Sequence, residues 1–438
     1  MQRFVLLVLM LCLLGVRGTE TMAADLRHWV VAWTGSAQGP YPTGNPTAQP
    51  ELKFVFPSPE RGAVDQTFRL IVRPDLWGKE ARFRLSNVFG TAPVTFTSAH
   101  LGLQTSGAAV LPDSNRVVTF NGKGRVTIPP GGSVWSDTVA LTFVKDAADP
   151  LLVGRKLAIS FHVAGSSGPM TWHAKGLQTS YLARPGASHA EDDGEAEFPY
   201  TTTSWFFLDA VAMTVPATTR AIVTFGDSIT DGTASTINGD DRWPDVFARR
   251  VHAAFGNRYA VVNQGIGGNQ VVGPERYSAV DAVNGGPSAL SRLDRDIVGL
   301  PNVGAVIWLE GINDFGTSGA SLESVMQGYR DGVAHLRRNS PGLKVYVATL
   351  TTALGSTPSH GTPEVDAKRK ALNAWFKTEK IFDGVADFDA VTLDAATGAL
   401  RPEFKPGSSI GGPGDGLHPN RAGYAAMGGA VPLDWFKK

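Results

Sequence analysis

Cysteine is almost missing from this 438-residue chain: Cys12 is the only one. It lies inside an apolar run near the N-terminus, Phe4 to Val16, so no thiol follows that run. Disulfide cross-links, a cysteine nucleophile and a thiolate metal site are therefore excluded beyond it. Stability has to come from core burial, for which the chain is long enough. A charge excess is also lacking, because 40 basic and 40 acidic residues cancel. Nothing there marks a nucleic-acid footprint or an anionic membrane surface. No apolar run reaches the length of a membrane span. The pattern His-Glu-x-x-His does not occur, and no other cluster has metal-ligand spacing. Neither a metal nor an organic cofactor is expected.

What is present begins with Arg3, the apolar run and the small pair Ala23-Ala24. This is the layout of a secretory signal peptide, expected to be cleaved after Ala24. Met22 is an imperfect residue at the minus-three position, and an uncleaved anchor is the alternative. The expected layout is a signal peptide over 1–24, a β-rich accessory domain over 25–215 and a second domain over 216–438. The expected location is secreted or periplasmic, with no membrane span in the mature chain, as a monomer.

Residues 66–73, Gln-Thr-Phe-Arg-Leu-Ile-Val-Arg, are apolar and polar in near alternation, the signature of a strand. Segments 81–85, 94–103, 116–120, 125–129, 134–143 and 156–163 follow in the same style. Turn residues such as Asn121-Gly122 and Pro130-Gly131-Gly132 separate them. Many short strands with this punctuation predict an all-β sandwich or jelly roll. An acidic segment, 184–203, interrupts them and reads as a solvated loop. One more strand, 204–215, returns to the sandwich, and Pro216-Ala217-Thr218 reads as a hinge.

From Arg220 the pattern alternates between strand and helix. Strands are expected at 221–225, 259–262, 305–309, 345–350 and 385–388. Helices are expected at 243–255, 288–298, 322–338 and 363–378, with a last one from about Asn420. This predicts an α/β domain of three layers, with a parallel five-stranded sheet in flavodoxin-like order.

The polar motifs of this half each follow a strand. Gly226-Asp227-Ser228 follows the first, Asn263-Gln264-Gly265-Ile266-Gly267-Gly268 the second, and Gly311-Ile312-Asn313-Asp314 the third. Asp415-Gly416-Leu417-His418 follows the fifth and precedes the last helix. Alone, each is an ordinary turn, loop or helix cap. Together they converge, because the carboxyl ends of parallel strands share one edge of the sheet. The set matches the needs of acyl transfer. Ser228 is the candidate nucleophile, His418 its base, and Asp415 the group that orients the imidazole. The backbone N–H groups of Ser228 and Gly268 and the side-chain amide of Asn313 are candidate oxyanion donors. A nucleophile elbow, Gly-x-Ser-x-Gly, is not formed, since Thr230 occupies the second glycine position.

These four blocks resemble the SGNH/GDSL hydrolase superfamily. The resemblance implies Ser228 as nucleophile, Gly268 and Asn313 as oxyanion donors, and Asp415 and His418 as the rest of a triad. The β-rich half, through Arg84-Leu85-Ser86-Asn87-Val88-Phe89-Gly90 and Ser136-Asp137-Thr138-Val139, resembles the accessory domain of a secreted bacterial subgroup.

The expected activity is hydrolysis of carboxylic esters through an acyl-enzyme. A small-molecule or polysaccharide ester is the expected substrate, with short acyl groups, acetyl among them, as the family habit implies. A lipase or lysophospholipase on longer chains is the alternative within catalysis. A carbohydrate-binding protein with an inactive hydrolase domain is the alternative outside it. The loop 271–287, with Arg276 and Tyr277, is a candidate pocket wall. His173, beside Trp172, is a candidate that would reach the cleft from the β-rich half.

Overall fold

The computed structural model describes residues 27–437. The expected signal peptide lies outside them.

The first half is built from antiparallel sheets. In the larger one, strand Val64–Val72 lies between Ser180–Leu182 and Leu157–Ser166, and Val94–Leu103 follows on the far side. Its alternation sends Phe68, Leu70 and Val72 into the main core and Ile71 to the opposite face. Phe68 stacks on Phe161, with ring centroids 5.4 Å apart. Phe96 and Phe161 meet Phe207 edge-on, at 5.4 and 6.4 Å. Phe207 directly precedes Leu208–Pro216, a strand of the five-stranded sheet that also holds Arg27–Thr34 and Glu80–Ser86. The aromatic cluster thus joins the two sheets.

Two runs expected as single strands are broken. Segment 134–143 divides into Ser133–Trp135 and Val139–Ala140. Between them the Asp137 carboxylate accepts from Thr119 Oγ1 and from the N–H groups of Asn121 and Gly122, at 2.6, 3.0 and 2.7 Å. Satisfying that turn pulls the chain out of the ladder. Segment 204–215 divides at Phe207, whose φ is +59°. There Trp205–Phe206 pairs with Thr171–His173, while the next strand enters the five-stranded sheet.

The acidic segment is not a freely solvated loop. The Arg69 side chain is fully buried on the outer face of the larger sheet, and a buried guanidinium needs acceptors. It donates to the carbonyls of Ala108 and Gly194 at 2.7 and 3.0 Å, and to that of Asp192. Its guanidinium carbon lies 4.0 Å from the centre of the Phe198 ring. The segment is therefore tied down as a cover for that face.

From Arg220 the chain forms five parallel strands in spatial order 2-1-3-4-5: Arg220–Gly226, Tyr259–Gly265, Val303–Leu309, Lys344–Ala348 and Gly384–Ala386. This is the flavodoxin-like order the alternation predicts. Helices Trp243–Phe255, Leu322–Asn339, Pro363–Thr378 and Arg421–Ala430 cover it. Their starts are signalled locally: Ser321, Thr362 and Asn420 each accept hydrogen bonds from first-turn N–H groups. The helix expected at 288–298 runs as Ala289–Leu293 and then widens into a π-helical turn, Asp294–Val298.

Three residues separate Leu208–Pro216 from Arg220–Gly226, and they are tied on both sides. Thr219 N–H donates to Pro216 O at 2.9 Å, and His28 Nε2 lies 2.8 Å from Thr219 O. Thr34 Oγ1 donates to Asn263 O, and Arg73 pairs with Asp245, each at 2.7 Å. The strand-rich half is bonded to the α/β half along this seam, so the expected hinge is a braced turn.

Candidate active site

The first parallel strand is buried from Ala221 to Gly226 and mostly apolar there. A Cβ at 226 would lie 2.1 Å from Leu309 O, so the strand exits through glycine. Asp227 caps the short helix Ser228–Asp231, its Oδ1 accepting from Ile229 N–H at 2.9 Å. Gly232, at φ +105°, ends that helix. Ser228 is thus held at the first position of a helical turn, where its N–H has no intrahelical acceptor. Asp227 is fully buried and its Oδ2 has no partner. Burial, with the nearby Asp314 charge, pushes its carboxyl up to about 7. It shapes the turn and does not reach His418.

Ser228 Oγ lies 2.8 Å from His418 Nε2, and His418 Nδ1 lies 2.5 Å from Asp415 Oδ2. The other carboxylate oxygen, Asp415 Oδ1, accepts the N–H groups of Leu417 and His418, both at 2.9 Å. Burial alone would raise the Asp415 carboxyl. The hydrogen bond and charge of His418 outweigh that and hold it well below the usual carboxylate range. The cap of the last helix is Asn420, which leaves Asp415 free for the histidine.

Gly268, at φ +83°, sits in the loop after the second strand. A Cβ there would come 2.8 Å from Asn45 Nδ2. Asn313 stands in the short helix Ile312–Gly316 after the third strand, reached through Gly311 at φ +127°. Asn313 Nδ2 donates to Asn269 O at 2.9 Å. The two loops are also tied by Asp314, which accepts Val271 and Val272 N–H at 2.8 and 3.0 Å. Ser228, Gly268, Asn313 and His418 all line one cavity of about 550 Å³. That is a usual size for a small-ligand site.

The chain from 224 to 426 matches the model of the GDSL-like Lipase/Acylhydrolase family. Over these residues, just under half of the chain, it is similar to that family. The match supports a carboxylic ester hydrolase. No curated protein matches the chain. Solved structures similar to it include an aryl esterase from M. smegmatis, at 18% identity. The match covers 48% of this chain and 95% of that one, with a TM-score of 0.36. A carbohydrate acetylesterase family member from Sinorhizobium meliloti is similar at 16% identity, over 48% of this chain and 94% of that one, TM-score 0.36. A GDSL-like lipase from Bacteroides thetaiotaomicron is similar at 19% identity, over 48% and 85%, TM-score 0.34.

The cleft is walled partly by the loop 271–287, through Gly273, Pro274 and Val283 to Gly286. Arg276 and Tyr277 are not brought to it. They line a separate cavity with Phe89 and Arg295. The Tyr277 hydroxyl donates to Gln38 O at 2.7 Å, and its ring packs edge-on against Phe89. His173 does not face the cleft either. It is buried, with Nδ1 2.8 Å from Ser36 O and Nε2 3.1 Å from both Lys175 O and Asp231 Oδ1. It grips the helix that carries Ser228 from behind.

Three cleft residues escape the sequence reading. Asn45 and Lys175 come from the β-rich half and line the cavity. Asn45 Nδ2 donates to Gly267 O at 2.8 Å, and Lys175 Nζ to Thr233 Oγ1 at 2.5 Å. Burial pulls the Lys175 ammonium down, against the charges of Asp231, Asp227 and Asp415. Nothing local in the sequence marks either residue. The third, His360, lies in the loop after the fourth strand, at the same sheet edge as the other motifs. The strand-end rule that selected the other blocks, applied to this loop, would have found it.

Proposed function

We propose that this GDSL hydrolase is a secreted serine esterase of short-acyl carboxylic esters, acetyl esters of a polysaccharide among them. The observation that carries the reading is the chain of contacts from Ser228 Oγ through His418 to Asp415, opening on a cavity of about 550 Å³. Ser228 Oγ attacks the ester carbonyl carbon while its proton passes to His418 Nε2. Asp415 holds Nδ1–H and stabilises the imidazolium. The carbonyl oxygen becomes an oxyanion facing the N–H groups of Ser228 and Gly268 and the amide of Asn313. Collapse breaks the bond to the alcohol oxygen, which leaves with the proton from His418. Water then enters with His418 as base, and the acid is released from Ser228.

Hydroxyls and amides on the cavity wall, from Asn45, Gln270, Asn284, Thr317 and Ser318, favour a hydroxylated alcohol part. Pro274, Val283 and Leu417 supply apolar surface for a small acyl group. The accessory domain, proposed to span 25–215, contributes to the wall through Asn45 and Lys175. Export would follow cleavage of the leader 1–24. Among the described residues no helix is long and apolar enough to cross a membrane.

The test is a panel of esters of increasing acyl length, run on wild type and Ser228→Ala with fluorophosphonate labelling alongside. Turnover that falls steeply beyond short acyl groups, with labelling lost in the variant, supports the proposal. Turnover that rises with chain length means a lipase or lysophospholipase. A wild type that neither turns over nor labels would mean an inactive, carbohydrate-binding chain.

A further inference from the structure

We propose that His360 is a positioning residue that fixes the Asn313 side-chain amide with one N–H aimed at the reacting oxygen. The inference rests on the reading of Asn313 as an oxyanion donor.

Hydrogen-bond chemistry around Asn313 leaves one consistent arrangement. A backbone carbonyl can only accept, so the group facing Asn269 O at 2.9 Å has to be the NH₂ end of the Asn313 amide. Asn313 Oδ1 is then the atom 3.1 Å from His360 Nε2. An amide oxygen can only accept, so Nε2 carries a proton. His360 Nδ1 lies 3.1 Å from Thr357 Oγ1 and 2.8 Å from Ser359 Oγ, and either hydroxyl can donate to it. The neutral Nε2–H tautomer satisfies every partner. Burial, and then the His418 charge, lowers the affinity of His360 for a second proton. Thr317 Oγ1, at 3.5 Å from Nε2, is the remaining polar neighbour on that side.

The result is a clamp on both ends of one amide. Asn269 O holds one Nδ2–H, and His360 holds the oxygen. The second Nδ2–H is left over, on a residue that lines the cleft beside Ser228 and Gly268. Donation into Oδ1 also polarises the amide and strengthens its N–H as a donor. The ring can come this close because residue 316 is glycine. A Cβ there would stand 2.4 Å from His360 Cδ2.

A double-mutant cycle of His360→Ala and Asn313→Ala, read as kcat and KM on a short-acyl ester, tests the proposal. Loss of an oxyanion donor costs about 10²- to 10³-fold in kcat, and that is expected for Asn313→Ala. His360→Ala is expected to lower kcat about 10-fold, with KM within about 2-fold, and to add nothing in the Asn313→Ala background. His360→Gln, which can still donate an N–H, is expected to restore most of the loss. Gly316→Ala, which displaces the ring without removing it, is expected to reproduce the loss. Circular dichroism and Ser228 labelling check that each variant is folded. An unchanged kcat in His360→Ala, or the same fold-loss on top of Asn313→Ala, overturns the role of His360. A normal kcat in Asn313→Ala overturns the oxyanion reading itself, and the proposal with it.

Discussion

His173 Nε2 lies 3.1 Å from Asp231 Oδ1, and both side chains are buried. Asp231 ends the helical turn that Ser228 begins. His173 belongs to the strand-rich half, in strand Thr171–His173. The Ser228 turn is therefore braced by a part of the chain that carries none of the four sequence blocks.

His173→Ala strands the Asp231 carboxylate and the Ser36 carbonyl. Each buried polar group left unpaired costs about 1–3 kcal/mol. The variant is expected to unfold at a clearly lower urea concentration than wild type. Its kcat should fall as well, because the Ser228 turn loses its brace. A denaturation midpoint equal to that of wild type would show that the contact does not hold the halves together.

Asp415→Asn keeps the size of the side chain but removes the charge that, in the proposed mechanism, stabilises the imidazolium. The expected loss in kcat is about 10⁴-fold, with little change in KM. Asp227→Asn should have a far smaller effect on kcat, since Asp227 caps a helix and does not reach His418. Comparable losses in the two variants, measured on one ester, would contradict this division of labour.

Asp227 also makes stability depend on pH. Burial raises its folded-state carboxyl from 3.8 to about 7. Between those values the folded protein keeps a proton that the unfolded chain releases. Stability therefore falls as pH rises through that window and levels off above it. Asp314, pushed up to about 6, and Glu310, up to about 8, add to the same slope. Asp227→Asn retains an oxygen for the Ile229 N–H and cannot ionise. Chemical denaturation of the variant should show a shallower decline over this range, and an unchanged slope would remove Asp227 from the account.

Arg69 holds the acidic segment through its carbonyls. Arg69→Ala removes those donors and the guanidinium over Phe198. Limited proteolysis is expected to cut the variant within 184–203 while sparing wild type. Equal resistance in the two proteins would mean that other contacts hold the segment.

The parallel sheet was legible in the sequence because its signals are local. Five apolar strands alternate with helical segments. The four motif blocks could be grouped because strand ends of a parallel sheet share an edge, a rule of topology that needs no coordinates. That rule led to Ser228, Gly268, Asn313 and His418, which line one cleft, and to Asp415, which is hydrogen-bonded to His418 behind it. It would have included His360 had the loop after the fourth strand been read in the same way.

What only the tertiary structure decided is where the two halves meet. Asn45 and Lys175 join the cleft, and His173 braces it, through contacts across 58 to 222 residues of sequence. Arg276 and Tyr277 turn away because the Tyr277 hydroxyl finds its acceptor at Gln38 O, outside the cleft. The acidic segment is fixed because a buried arginine elsewhere needs its carbonyls. Composition and periodicity report on a residue's own neighbourhood. A hydrogen bond between distant segments depends on the packed geometry of both, so its partners appear only once the chain has folded.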